Sequence, residues 1–451
     1  MIPIWPRRPE TARQQENPLL RNGYLLSLSS ALAAVFGFGY WAVAAWKYDA
    51  ATVGSNAAAI SMMTLVTTVA QLNLSSAMVR FVPTARCRTR QLVGVVYVIS
   101  CATALVVGIS AVVLVRQISP RTVFFSDPLS RGAFVLGTVA CTVFLIQEGV
   151  LTGLRRTALV PLENFIFVVV KLVLVLVLAT VIPSHGIFVS WVVAQGGIVL
   201  VVAVFVFLWA IPRHERLSAD LADDLPPVGD LARFVALDHA GAILAVGSMA
   251  LMPILVIAAL GAEQSAYFSM AWLVAFSVHL INFNMGTSLV VESAEDQSTL
   301  AEHCRNVLTH TGKLLVVVTV PLLLAAPYLL GLFGPAYRDA DQTLRLLVLS
   351  AFPHLVVVVA LSAARSLRRM RLVVSVQAFQ CAAVLLLMWR LLPVMGVSGA
   401  GVAWLAAQSM MAVGLLIRRD LWLGPAPAPT ACADLVIAGA RRPDRARKRA
   451  G

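Results

Sequence analysis

Apolar residues run along this chain in long unbroken stretches separated by short polar segments. Each stretch is about 20 residues long, which is what a helix needs to cross the hydrocarbon core of a bilayer. Strands of a membrane barrel would instead alternate apolar and polar positions over about ten residues. The stretches predict twelve helices, at 23–46, 53–79, 92–115, 132–153, 165–182, 187–211, 234–260, 268–289, 314–333, 343–364, 372–392 and 397–417. The first 22 residues are polar. The run after them is too long for the core of a signal peptide, so it is expected to remain as a helix. The predicted organisation is an N-terminal tail (1–22), a six-helix lobe (23–211), a polar linker (212–233), a second six-helix lobe (234–417) and a basic, proline-containing tail (418–451) expected to be disordered. The fold class is therefore an all-α polytopic membrane protein.

Composition agrees: 59% of the 451 residues are apolar and 13% charged, and the mean hydropathy is +0.85. Soluble domains hold about 25% charged residues. The net charge is +13, which in a soluble protein would suggest nucleic acid. Here the basic residues gather in the loops on one side, so no nucleic acid is expected. With the N-terminus inside, inner segments hold 27 Lys and Arg and outer loops 5. That bias places both termini in the cytoplasm of a cell membrane protein. Cys87, Cys101, Cys141, Cys304, Cys381 and Cys432 show no CxxC spacing, so neither a disulfide nor a metal site is expected. No cofactor is implied. The sequence has no P-loop, no HExxH and no outer loop long enough to carry catalytic acids, so an enzyme is not expected.

Residues 186–195 read GIFVSWVVAQ and residues 399–408 read GAGVAWLAAQ, sharing G-x4-W-x2-A-Q at an offset of 213. The same offset aligns Leu154-Arg155-Arg156 with Leu367-Arg368-Arg369. An even number of spans per half makes the halves parallel, related by an axis along the membrane normal, as in transporters with parallel repeats. Two such lobes would enclose a central cavity that opens on alternate faces.

Four segments carry a family resemblance: NGYLLSLSSALAAVFGFGYW (22–41), VGSNAAAISMMTLVTTVAQLNLSSAMVRFVP (53–83), SAYFSMAWLV (265–274) and GVSGAGVAWLAAQ (396–408). The chain resembles the polysaccharide and lipid-linked-oligosaccharide flippases of the superfamily that also holds the multidrug and toxic-compound extruders. The resemblance implies two six-helix lobes and a polyprenyl-diphosphate-linked glycan moved from the inner to the outer leaflet. Peptidoglycan-precursor flippases of a related group carry arginines in the first helix. Helix 23–46 has none and offers Tyr24, Tyr40, Trp41 and Trp46 instead. A cation-coupled extruder on the same fold is the alternative. The loop RFVPTARCRTRQ (80–91) lacks the Gly-x3-Asp-Arg pattern of major-facilitator transporters.

Ionisable residues inside a span are costly and so mark candidate sites. Glu148 and Lys171 are expected at similar depth, as a buried ion pair or as a substrate site in which Lys171 meets an anionic group. Arg80 is expected at the inner end of the second helix, as an anchor or beside a diphosphate. Gln195 and Gln408 are symmetry mates, with packing or substrate contact as their roles. Asp238 and His239, one turn into the seventh helix, have a capping or interfacial role or couple transport to a proton or sodium ion. Arg345 and Arg390 should snorkel to the outer interface. His279, Asn282 and Asn284 form a polar cluster suited to interhelical hydrogen bonds. The basic C-terminal end also suits anionic lipid headgroups.

Overall fold

The computed structural model describes residues 35–118, 123–125, 127–217, 228–295 and 300–423. The N-terminal tail (1–22), residues 23–34 of the first predicted helix, 218–227 of the predicted linker and 424–451 of the C-terminal tail lie outside the described residues. The start of that tail, expected to be disordered from 418, instead forms a short helix over Asp420–Leu423. Regular structure among the described residues is helical: α1 (35–47), then α2 (Ala50–Ala70), α3 (Leu74–Ala85), α4 (Thr89–Ile118), α5 (Pro128–Gly153), α6 (Leu159–Val181), α7 (Gly186–Phe205), α8 (Ile211–Leu217), α9 (Val228–Leu260), α10 (Ala262–Glu295), α11 (Leu300–Gly331), α12 (Asp341–Leu349), α13 (Ala351–Ser366), α14 (Met370–Met395), α15 (Val397–Ile417) and α16 (Asp420–Leu423). Eleven described helices are long and apolar enough to cross a membrane. Helix α1 is the described part of the remaining predicted span. The protein is a multi-pass membrane protein with two six-helix lobes.

Boundaries differ from the hydropathy reading where polar residues extend a helix beyond the apolar run. Helix α8 continues the sixth span to Leu217 and α9 begins at Val228, so both reach into the predicted linker 212–233. The second predicted helix, 53–79, is broken. The break falls at Leu72 and Asn73, both left-handed at φ 49° and 53°, and the chain keeps its direction along α5, with Met63 of α2 at Gly137 and Met78 of α3 at Gly153. Helix α3 then lies on α5 at two glycines four residues apart. A Cβ on Gly149 would meet the Ser75 carbonyl oxygen at 2.4 Å, and one on Gly153 the Met78 carbonyl oxygen at 2.7 Å. Small residues at this spacing let two helix backbones approach.

The repeat is written into the backbone. At the end of α5 the Arg156 N–H bonds the Leu151 carbonyl at 2.8 Å and the Arg155 N–H bonds Thr152 at 3.0 Å. At the end of α13 the Arg369 N–H bonds Ala364 at 2.8 Å and the Arg368 N–H bonds Arg365 at 2.9 Å. Both are Schellman caps, and every partner is displaced by 213. Arg155 and Arg368 occupy the left-handed position, at φ 58° and 56°.

The core is shared by both lobes at one end and divided at the other. Away from the arginine-rich face, Met63, Phe134 and Phe188 of the first lobe join Met252, Phe268 and Phe333 of the second. Here α2 touches the start of α10 so closely that a Cβ on Gly54 would fall 1.8 Å from the Ala262 carbonyl oxygen. The Trp46 indole also crosses the lobes, donating to the Leu332 carbonyl at 2.7 Å. Toward the arginine-rich face, Met78, Phe81 and Leu151 form one cluster, and Leu289, Leu355 and Leu415 form another.

Candidate functional site

Lys171 is buried in the first lobe, with 5% of its surface exposed, and its expected partner is not there. Its Nζ lies 3.7 Å from the Trp191 ring centroid, 4.7 Å from Tyr40 and 4.8 Å from Phe167. The Tyr40 hydroxyl is fixed by donating to the Ile187 carbonyl at 2.8 Å, beside Ser190 Oγ at 3.1 Å. Glu148 instead accepts from Asn164 Nδ2 at 2.7 Å. The expected Glu148–Lys171 ion pair is therefore corrected, and helix length is the reason. Helix α6 starts at Leu159 rather than 165, which puts Lys171 about 18 Å along it, whereas Glu148 stands only about 7.5 Å before the end of α5. Asn164 is the α6 residue at Glu148's depth.

The repeat partners of this site have different chemistry. Trp404, in Trp191's position, donates to His279 Nε2 at 3.3 Å. Lys171 corresponds to Val384, so the equivalent position in the second lobe carries no cation. His279 Nε2 also meets Ser350 Oγ at 3.1 Å, and Asn282 donates to the Ala351 carbonyl at 2.8 Å. These bonds join α10 to α13, as expected of an interhelical cluster, although Asn284 is exposed.

Asp238 and His239 lie at the seam between the lobes. Asn73 Nδ2 donates to Asp238 Oδ2 at 2.7 Å, and His239 Nε2 sits 3.2 Å from the Val69 carbonyl oxygen. Arg80 lies within α3, exposed, over the Phe81 ring at 5.6 Å; it does not end the second helix. Gln195 and Gln408 are 4% and 0% exposed. Oε1 of Gln195 and both amide atoms of Gln408 have no hydrogen-bond partner. Arg345 is exposed and pairs with Asp341 at 3.2 Å, and Arg390 is exposed beside Trp389.

A cavity of about 360 Å³ opens between α9, α10, α13 and α14, inside the second lobe rather than midway between the lobes. Its polar lining includes Ser248, Thr287, His354, Ser362, Gln377 and Gln380, and Arg365 is its one charged residue. None of Lys171, Glu148, Arg80, Gln195, Gln408, Asp238 or His239 lines it. His354 lies 3.2 Å from Asn282 Nδ2 through its Nδ1. An amide N–H donates, so Nδ1 accepts and the ring hydrogen sits on Nε2. The sequence reading missed Arg365 because the predicted helix stopped one residue before it. A signal existed: eleven residues are three helical turns, which puts Arg365 and His354 on one face.

No family model matches the sequence, and no curated protein matches it either. Solved structures do match in fold. One is the lipid II flippase MurJ in an inward closed conformation, at TM-score 0.68 and 11% identity, covering 88% of this chain and 87% of that one. Another is an inward-facing multidrug resistance MATE family transporter of the MOP superfamily, at TM-score 0.61 and 14% identity, covering 87% and 94%. A third is a MOP superfamily transporter from Pyrococcus furiosus, described by a binding pocket of reverse polarity, at TM-score 0.58 and 15% identity, covering 90% and 94%. The chain has the two-lobe fold of these transporters.

Proposed function

We propose that the protein is a transporter that moves a lipid-linked oligosaccharide or polysaccharide precursor from the inner to the outer leaflet by alternating access, in cell-surface polysaccharide biosynthesis. The observation that carries this reading is the charge of the cavity: one arginine, no carboxylate. Arginine holds a diphosphate through paired N–H donors. Serine, threonine and glutamine side chains suit sugar hydroxyls, and Val290, Val357, Val358 and Leu361 give a wall for the carrier lipid. A site for cationic drugs would present acids there. Lys171 is the first lobe's buried cation and is proposed as its contribution to handling the anionic group.

The alternative is a cation-coupled extruder of drugs or metabolites, with Asp238 and His239 as coupling groups; the likeness to multidrug MATE structures favours it. Deletion of the gene in its host, with complementation, separates the two. A flippase predicts loss of surface glycan and accumulation of its lipid-linked precursor. Arg365→Gln should insert normally yet restore less than about a tenth of export, a loss of about 1.4 kcal/mol. Normal surface glycan with raised drug sensitivity in the deletion strain would establish the extruder instead.

A further inference from the structure

A second polar cluster lies in the first lobe, near the arginine-rich face and away from the cavity. Glu163, four residues into α6, is 5% exposed, and neither of its carboxylate oxygens has a hydrogen-bond partner. Tyr97 of α4 and Glu148 of α5 are its titratable neighbours on the helices packed around it. The Tyr97 hydroxyl is likewise buried without a partner. So is Oε1 of Gln147, a residue with 0% exposure whose Nε2 is committed to the Val199 carbonyl at 2.8 Å. Glu148 receives one bond, from Asn164.

The donors nearby, the Tyr97 hydroxyl and the Gln147 amide, do not serve Glu163: Gln147 Nε2 is committed to Val199, and both Glu163 oxygens remain without a hydrogen-bond partner. An isolated carboxylate in a low-dielectric interior costs so much free energy that the group neutralises instead. No cationic side chain is paired with Glu163 among the described residues. Lys171 is on the same helix, but eight residues further on, about 12 Å away along the axis. The other titratable groups facing the cluster are Cys101 on α4, which acts on Tyr97, and Cys141 on α5, which feels Glu148. Neither supplies positive charge. Glu148, a second acid, adds repulsion to a charged Glu163 and so also favours its neutral form.

We propose that Glu163 is a proton-binding site, occupied at neutral pH by a proton taken from water. Glu163 stands about 6 Å into α6, so the exchange path to the arginine-rich face is short. The assignment does not depend on the nature of the cargo.

Infrared spectroscopy of the full-length protein in lipid nanodiscs tests it, because a protonated buried carboxyl has its own C=O stretch that shifts in heavy water. The wild type should show this band at pH 7, and Glu163→Gln should remove it. Potentiometric titration of the same samples should find about one proton fewer bound per molecule in the variant. Glu163→Asp, which keeps the carboxyl, should retain a shifted band and serves as the measurement if Glu163→Gln does not fold. Absence of the band in the wild type, or its persistence unchanged in Glu163→Gln, overturns the proposal. Loss of the band on adding sodium at constant pH also overturns it, assigning the site to a metal cation.

Discussion

Lys171 is buried without a carboxylate, and three ring faces surround its charge instead. A desolvated cation over an aromatic face gains about 2 kcal/mol, less than the several kcal/mol that burying an ion costs. A charged ammonium at this position is therefore held at a cost to stability. Lys171→Met keeps the volume and removes that cost, so its melting temperature should equal or exceed the wild type while glycan export falls. Normal export would reduce Lys171 to packing. A second residue-scale prediction concerns pH. Asp127 caps α5 by accepting from the Ser130 N–H at 2.9 Å, and His185 lies 3.3 Å away. Its carboxyl is held below the usual carboxylate range, first by the Ser130 hydroxyl. A depressed carboxyl stabilises the fold above its unfolded pKa of about 4 and ceases to do so as pH falls through the folded value. Asp127→Ala should therefore cost about 1 kcal/mol at pH 7, and the gap to wild type should close in acid. A gap independent of pH would mean the cap does not act through its charge.

Helices α14 and α15 lie within three residues of their hydropathy prediction, since a continuous apolar run and its bounding Gly396 define them locally. Helices α2 and α3 do not, because the break at Leu72 and Asn73 lies inside the predicted apolar run and leaves no mark on hydropathy. The 213-residue repeat was legible in Leu-Arg-Arg, and the paired Schellman caps give it a structural meaning. The sharpest element-scale prediction is at Gly54. Its missing Cβ leaves room for a backbone oxygen, which cannot move aside as a side chain does. Gly54→Ala should destabilise by about 3 kcal/mol. Gly196→Ala, on α7 with nothing near its Cβ position, should be neutral or up to about 1 kcal/mol stabilising. Equal melting curves for the two variants would refute the close approach.

Across the whole molecule, the lobes share an apolar core at one end, while two hydrogen bonds, Asn73–Asp238 and His239–Val69, bridge them toward the arginine-rich face. Hydrogen bonds contribute about 1 kcal/mol each, far less than a shared core, so the arginine-rich end is the easier one to open. Cysteines placed at 73 and 238 and joined by a short thiol cross-linker should abolish export, while either single variant treated alike keeps it. Export that continues in the cross-linked protein would show that this seam does not open during transport.

The number of spans, their parallel repeat and the arginine-rich face were fixed by sequence alone, because hydropathy, loop charge and helix caps act over a few neighbouring residues. The partners of Lys171, Glu148 and Asp238 were decided by the tertiary structure. A six-residue error in where α6 begins shifts Lys171 by about 9 Å in depth, enough to replace a carboxylate neighbour with an aromatic one. Arg365 became visible as a cavity residue only when α9, α10 and α14 closed around the face it shares with His354, since a cavity is a property of several helices that no single stretch of sequence contains.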